Sequence, residues 1–336
     1  MSKNYQLILI LLILLSGCSN PRKATPDINQ DVVFMSRADS SQGELYFYNA
    51  SLGEIFRLTN NDRHENNPAL SRENRFVAFH AGNESNPLTW EIYYIDLETR
   101  QEYRLTNNYV IDGHPDWSPN SEQIVYSSFI DSEGNPEGVG DIFVVNRNAT
   151  GLIRLTNNEF ENNDPEWSPD GSLIAFKSTR RKNDSFQDEV YVMNVDGANV
   201  KRLTTTSGWN SDHDVSWSPD SKYLVFTRYQ GSIPWINIAD IANFNTNYPL
   251  MTPWNCFKVD LNGEVEQLTF SNDLSGLPVY SSNNDYVMYV EYEPIRINDS
   301  IMGFFHKLKI INTDGTDPKM IFFDEKHTYT LEYFDW

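Results

Sequence analysis

The chain has 336 residues, 47 of them acidic and 26 basic, with a formal net charge of −21 and only two cysteines. Such an excess of negative charge repels polyanions, which excludes nucleic acid and an anionic lipid surface as electrostatic partners and suits cations, basic partners or simple solubility. With 39% hydrophobic residues the chain can bury a large core, and with so few cysteines that core, rather than disulfides, must hold it together.

Taken in chain order, the first segment is a processing signal. Lys3 precedes the apolar run Leu7 to Leu15, which is too short to span a bilayer and ends in Leu15-Ser16-Gly17-Cys18. Small residues directly before a cysteine resemble the bacterial lipobox. That resemblance implies cleavage ahead of Cys18, a diacylglycerol on its thiol and an acylated amine, so residues 1–17 form a lipoprotein signal peptide. Two or three acyl chains are what a stable anchor needs. Residues 18–30, polar and carrying Pro21 and Pro26, read as the lipidated tether. Ser19 resembles an outer-membrane sorting signal, which implies a cell-envelope protein anchored in the outer membrane and facing the periplasm. Lipidation of Cys18 leaves Cys256 with no cysteine to pair with.

Residues 31–336 read as one domain. Asp31 to Arg37, Glu44 to Tyr48 and Glu54 to Thr59 predict three strands, and beyond them a repeat sets in. Pro115-Asp116-Trp117-Ser118-Pro119-Asn120, Pro165-Glu166-Trp167-Ser168-Pro169-Asp170-Gly171 and Ser216-Trp217-Ser218-Pro219-Asp220 recur about fifty residues apart. Each predicts a strand and a tight turn, with proline presetting φ and Asn, Asp or Gly taking the remaining conformations. A second strand follows (Gln123 to Ser127, Leu173 to Lys177, Tyr223 to Thr227). Alternating aromatic and β-branched residues then predict a third (Glu91 to Leu97, Asp141 to Asn146, Glu189 to Val195), and Arg104-Leu105-Thr106, Arg154-Leu155-Thr156 or Arg202-Leu203-Thr204 closes the unit. Weaker copies begin at Pro68 and Pro278.

Four-stranded sheets repeated at this period bury their faces against one another around an axis. The expected fold is therefore all-β, a six-bladed β-propeller of four-stranded antiparallel blades. Its N-terminal blade lacks an innermost strand, and Tyr333-Phe334-Asp335-Trp336 matches the start of the repeat. Pairing the C-terminal strand with the N-terminal blade closes the ring and removes an open edge. The repeat Pro-x-Trp-Ser-Pro-Asp-Gly, the strand Val190 to Val195 with Asp196-Gly197, and Arg202-Leu203-Thr204 resemble the TolB-type propeller repeat over nearly the whole domain. What the resemblance implies is a propeller used in binding. TolB itself carries an additional N-terminal α/β domain, whereas only the short tether precedes the blades here, so its role in the Tol–Pal system is not carried over.

Strand parity puts the connections between strands two and three, and those between blades, at one end, called here the loop face. The expected long connections are Ala81 to Thr89, Ile130 to Gly140, Arg180 to Asp188, Gln230 to Asn255 and Pro294 to Phe305; the opposite end, the turn face, has mostly tight turns. All six histidines fall on or beside the loop face, with no metal-motif spacing among them. Trp117, Trp167, Trp217 and Trp336 are repeat positions expected in the core. Trp90, Trp209, Trp235 and Trp254 lie in or beside loop-face connections, as partner anchors or as packing for the long insertion. Three residues before the repeat tryptophan stand Asn67, His114, Asp164 and Asp214, and five before it Glu65, Asp112, Asn162 and Asp212. Equal parity would turn both sets into the channel as an acidic collar at its mouth. The candidate binding residues are accordingly Asp112, His114, Asp164, Trp209, Asp212, His213 and Asp214. No cofactor is required; converging carboxylates and amides leave calcium or another hard cation as an option beside a simply hydrated mouth.

Prolyl oligopeptidase relatives carry a similar propeller but place their chemistry in a hydrolase domain with a Gly-x-Ser-x-Gly elbow, and this chain has neither. A polysaccharide-active enzyme resembling oligogalacturonate lyase is the alternative, with His114 and His213 as base or ligands, although that family's histidines cluster and these are dispersed. A membrane-anchored module that binds or scaffolds an envelope protein or glycan needs only a rigid ring, adaptable loops and an anchor, and it is the preferred reading.

Overall fold

A computed structural model describes residues 30–36, 42–129, 139–179, 187–207, 210–230, 254–270, 274–297, 300–323 and 334–335. The signal peptide, nearly all of the tether, Cys18, Trp209, Trp235, His327 and Trp336 lie outside these residues. Six four-stranded antiparallel sheets make up the domain. The first holds β1 (Val32–Ser36), β2 (Glu44–Asn49) and β3 (Glu54–Arg57), with the short β24 (Phe334–Asp335) beside β1 through the pairs Val33–Asp335 and Phe34–Phe334. The second is β4 (His64–Leu70), β5 (Phe76–Asn83), β6 (Asn86–Asp96) and β7 (Glu102–Arg104). The third is β8 (Asp112–Trp117), β9 (Gln123–Ser128), β10 (Asp141–Asn146) and β11 (Ile153–Arg154). The fourth is β12 (Asn162–Trp167), β13 (Leu173–Ser178), β14 (Glu189–Asn194) and β15 (Lys201–Arg202). The fifth is β16 (Ser211–Trp217), β17 (Tyr223–Tyr229), β18 (Trp254–Asp260) and β19 (Val265–Gln267), and the sixth β20 (Leu274–Tyr280), β21 (Tyr286–Ile297), β22 (Ser300–Asn312) and β23 (Lys319–Phe323).

The core lies between blades rather than within any one of them, and strand alternation is the reason. On β9, Ile124 packs with Ala69, Phe76 and Tyr94 of the second blade, while its neighbour Val125 packs with Trp167, Ile174 and Phe176 of the fourth. The same division separates Leu224 from Val225 on β17. Trp117, Trp167 and Trp217 are 4, 8 and 4% exposed, core residues as the repeat implies. The indole N–H of Trp117 donates to the Ala69 carbonyl of the preceding blade at 3.2 Å, and that of Trp217 to the Glu166 carbonyl at 3.1 Å.

The Ser-Pro-Asp-Gly turn closes through its serine. The Gly171 N–H donates to the Ser168 carbonyl at 2.8 Å, the Leu173 N–H to Ser168 Oγ at 2.9 Å, and Gly171 takes φ +76°, a conformation that costs glycine least. The closing Arg-Leu-Thr element is a clamp on a buried carboxylate. In the third blade Arg154 bonds the Asp141 carboxylate and the Thr156 carbonyl, while Thr156 Oγ1 donates to Asp141 at 2.6 Å. Arg57–Glu44, Arg104–Glu91 and Arg202–Glu189 repeat the ion pair. The fifth blade uses a neutral version, with Gln267 bonding the Thr269 carbonyl and Thr269 Oγ1 bonding Asn255.

Two expected loops are strands instead. The Ala81 to Thr89 connection is a tight hairpin between β5 and β6, in which Asn83 pairs with Asn86. In the sixth blade β21 and β22 run on as a ribbon as far as the pair Ile297–Ser300. Pro294 lies within this ribbon; β20 pairs with β21 only as far as Tyr292, and beyond that point the ribbon has an edge where proline is tolerated. Trp254 likewise opens β18 and meets Tyr229 edge-on.

Candidate functional site

The five fully described innermost strands β4, β8, β12, β16 and β20, together with β24, line a central cavity of about 170 Å³. Each of the five breaks register with its neighbour just before the repeat tryptophan or its equivalent, at Asn66/Ala69, Gly113/Asp116, Asn163/Glu166, His213/Ser216 and Gly276/Val279. In each bulge one residue turns left-handed: Asn67 (φ 45°), His114 (52°), Asp164 (50°), Asp214 (53°) and Leu277 (54°). A bulge adds a residue and so reverses the alternation on either side of it.

That reversal corrects the expected collar. His114, Asp164 and Asp214 do line the cavity, but Asp112 and Asp212 do not. Both are fully buried inside their blades. Asp112 accepts from Ser128 Oγ and from Asn108 Nδ2, and Asp212 is held by Arg228 through Nε at 2.6 Å and Nη2 at 2.8 Å. They brace the strand entrances. Burial pushes Asp112 up to about 6 and also raises Asp212, against the pull of Arg228. His213 stands beside the cavity, its Nδ1 3.6 Å from Asp188, and burial followed by the Lys177 charge takes it down to about 3, so it is neutral.

At the loop-face end of the cavity, charges from neighbouring blades meet. His114 Nε2 lies 3.0 Å from Asp164 Oδ1, and Asp164 Oδ2 lies 2.9 Å from Lys177 Nζ. Burial alone would raise the Asp164 carboxyl, but the charges of His114 and Lys177 overcome it and hold the group well below the usual carboxylate range. Lys177 is opposed by its own burial and raised by Asp164 and Asp188. Asp188 rises to about 6, and Asp214 is raised, in both cases through burial first. Behind this group the His114 backbone N–H donates to His80 Nδ1 at 3.1 Å, and Trp90 meets the rings of His80 and His64 at 4.7 and 5.5 Å. An Nδ1 that accepts places the His80 proton on Nε2, in keeping with a burial-lowered, neutral ring.

Deeper in the cavity stands a second set that reading the repeat as scaffold concealed: Asp116, Glu166 and Asp335, each directly before the repeat tryptophan position. Every one clasps the next blade. Asp116 accepts from the Trp167 N–H at 2.7 Å, Glu166 from the Trp217 N–H at 3.1 Å and Asp335 from the Leu70 N–H at 2.8 Å. Burial and then the Asp335 charge bring Asp116 up to about 7, and burial followed by Asp116 and Asp335 raises Glu166 well above its usual value.

A carboxyl raised in this way holds a proton that the unfolded chain releases. Its stabilisation is complete below the unfolded value near pH 4 and is lost as pH rises through about 7. The protein should therefore melt at a higher temperature near pH 5.5 than near pH 8, and Asp116→Asn should flatten that dependence, by on the order of 1–2 kcal/mol after allowing for solvent screening in the cavity. A melting series on both proteins decides it; equal slopes would show that other groups carry the effect.

The family profile described as the TolB beta propeller domain matches residues 132–253. The fold is that of the TolB-type propeller. TolB from Acinetobacter baumannii superposes with a TM-score of 0.61 at 19% identity, covering 89% of this chain and 65% of that one, so the chain spans less than two thirds of that protein's length. A structure assigned as TolB from Agrobacterium tumefaciens gives 0.59 at 16% identity, over 87% of this chain and 88% of the other. Oligogalacturonate lyase from Vibrio parahaemolyticus gives 0.56 at 14% identity, over 89% and 76%. At such identities the likeness is one of fold. No curated protein sequence matches the chain. Within this TolB-type ring, the described residues hold no group of three or more His, Cys, Asp or Glu arranged to bind a metal ion.

Proposed function

We propose that the protein is a lipid-anchored envelope propeller that binds a protein or glycan partner at the loop-face mouth of its channel. The reading rests above all on the His114–Asp164–Lys177 relay, with Asp214 lining the same cavity and Asp188 near Lys177. These groups come from three blades and sit at one end of a rigid ring, held by buried packing. Such a preorganised, partly desolvated cluster offers charge-assisted hydrogen bonds without first having to order itself. Tyr109, 90% exposed on the connection between the second and third blades, adds an aromatic anchor to the same face.

The test begins with affinity capture from membranes using the intact lipoprotein. Against the captured partner, Asp164→Ala combined with Asp214→Ala should weaken binding by on the order of 1–3 kcal/mol. Asp170→Ala with Asp220→Ala, on the turn face, should leave binding nearly unchanged in a folded protein. If the turn pair abolishes binding and the mouth pair does not, the partner docks on the other end.

Polysaccharide cleavage is the second reading, and the observation that favours it is the contact between His114 Nε2 and Asp164, the orientation a general base needs. Release of unsaturated products from oligogalacturonate by the parent protein, lost in His114→Ala, would put that activity in place of simple binding.

A further inference from the structure

We infer that the turn face of the ring is apposed to the membrane and that the loop face, with the channel mouth, is displayed away from it. This rests on the reading that Cys18 carries the lipid. The inference itself comes from where the chain enters the domain. Gln30 bonds the Ser282 hydroxyl in the turn between β20 and β21. Asp31 accepts from the Ala50 N–H at 2.8 Å, in the turn between β2 and β3, and from Asn74 Nδ2 at 3.1 Å, in the turn between β4 and β5. Three turns from three adjacent blades thus pin the entry point, and all three belong to the turn face.

The entry point makes the turn face the end of the ring with the shorter path to the anchor. Twelve residues separate Cys18 from Gln30, and a chain of that length reaches at most about 40 Å. The innermost strands of six or seven residues set the loop face roughly 20 Å farther along the axis than the turn face. The channel is also more encumbered on the membrane side. Ser121 bonds Glu73, Arg72 bonds the Pro169 carbonyl and Asp170 bonds Ser221, so that the first turns of four blades are laced together there. A soluble or wall-bound partner therefore meets the His114–Asp164–Lys177 end, while the laced turns face the lipid headgroups.

Energy transfer to the bilayer tests this on the full-length lipoprotein. Leu152, 55% exposed in the turn before β11, and Tyr109, 90% exposed on the loop face, are each replaced by Cys and labelled with a donor dye. Cys256 is buried and does not compete for label. Each protein is reconstituted into phosphatidylethanolamine–phosphatidylglycerol vesicles that carry a headgroup acceptor. Transfer from position 152 should exceed that from position 109 at least twofold, and Cys18→Ala should abolish both signals. Equal or reversed transfer from a vesicle-bound parent overturns the orientation and leaves the anchor intact. A Cys18→Ala variant that stays on vesicles as firmly as the parent overturns the anchor, and the orientation with it.

Discussion

Removal of residues 334–336 should leave the protein prone to self-association and cost on the order of 3 kcal/mol or more of stability. The deletion takes away β24 and with it the pairs Val33–Asp335 and Phe34–Phe334. It also strips the Leu70 N–H of the Asp335 carboxylate that accepts it. A backbone donor left without its partner costs roughly 1–3 kcal/mol, and the unpaired edge of β1 becomes a template for a neighbouring chain. Thermal unfolding alongside light scattering reads both effects. A truncated protein that stays monomeric with an unchanged melting temperature would show that the ring does not depend on this strand.

The second large effect concerns the blade clamp. Arg154→Ala leaves the Asp141 carboxylate, 1% exposed, without its guanidinium. Breaking a buried pair from one side costs about 3–5 kcal/mol, and somewhat less here, about 2–4 kcal/mol, because Arg154 is partly open to solvent. The fifth blade already carries the remedy in Gln267 and Asn255. Arg154→Gln combined with Asp141→Asn should therefore restore stability to within about 1 kcal/mol of the parent, since removing both charges together leaves no carboxylate to compensate. Denaturant unfolding of the single and double variants measures this, and a double variant no more stable than Arg154→Ala would mean that the clamp acts through something other than charge.

Much of this architecture was legible because the repeat states it several times over. Pro-x-Trp-Ser-Pro recurs with its turn, and the alternation along β9, β13 and β17 supplies both interfaces of each blade. The channel lining was legible only in part. Counting back from the tryptophan by twos assumes an unbroken pleat, and the bulge breaks it. The signal was present in Pro68, Pro115, Pro165 and Pro278, each one residue after the left-handed position; a proline inside a strand cannot donate to the ladder and marks an edge strand or a bulge, and here it marks both. Asn67, Asp164 and Asp214 are also among the residue types that tolerate φ > 0 best.

Lys177 escaped notice for a different reason. It occupies the place of His80, Ser127 and Thr227 in the other blades, opposite Asn163 as they stand opposite Asn66, Gly113 and His213. Its partners Asp164 and Asp188 come together only when the sheet is formed. Asp116 and Glu166 were hidden by belonging to the motif itself, where a residue read as scaffold is not also read as lining.

The recurring kink before each repeat tryptophan makes the inner wall a set of addressable positions. The left-handed turn recurs with side chains as different as Asn67, His114, Asp164, Asp214 and Leu277, so the backbone there keeps its shape while what it displays changes, most readily among Asn, Asp and His. Exchanging those five residues, alone or in combination, should yield a family of receptors that share one scaffold and differ in what they retain. A library built on them would show how far recognition can be rewritten while the ring is kept.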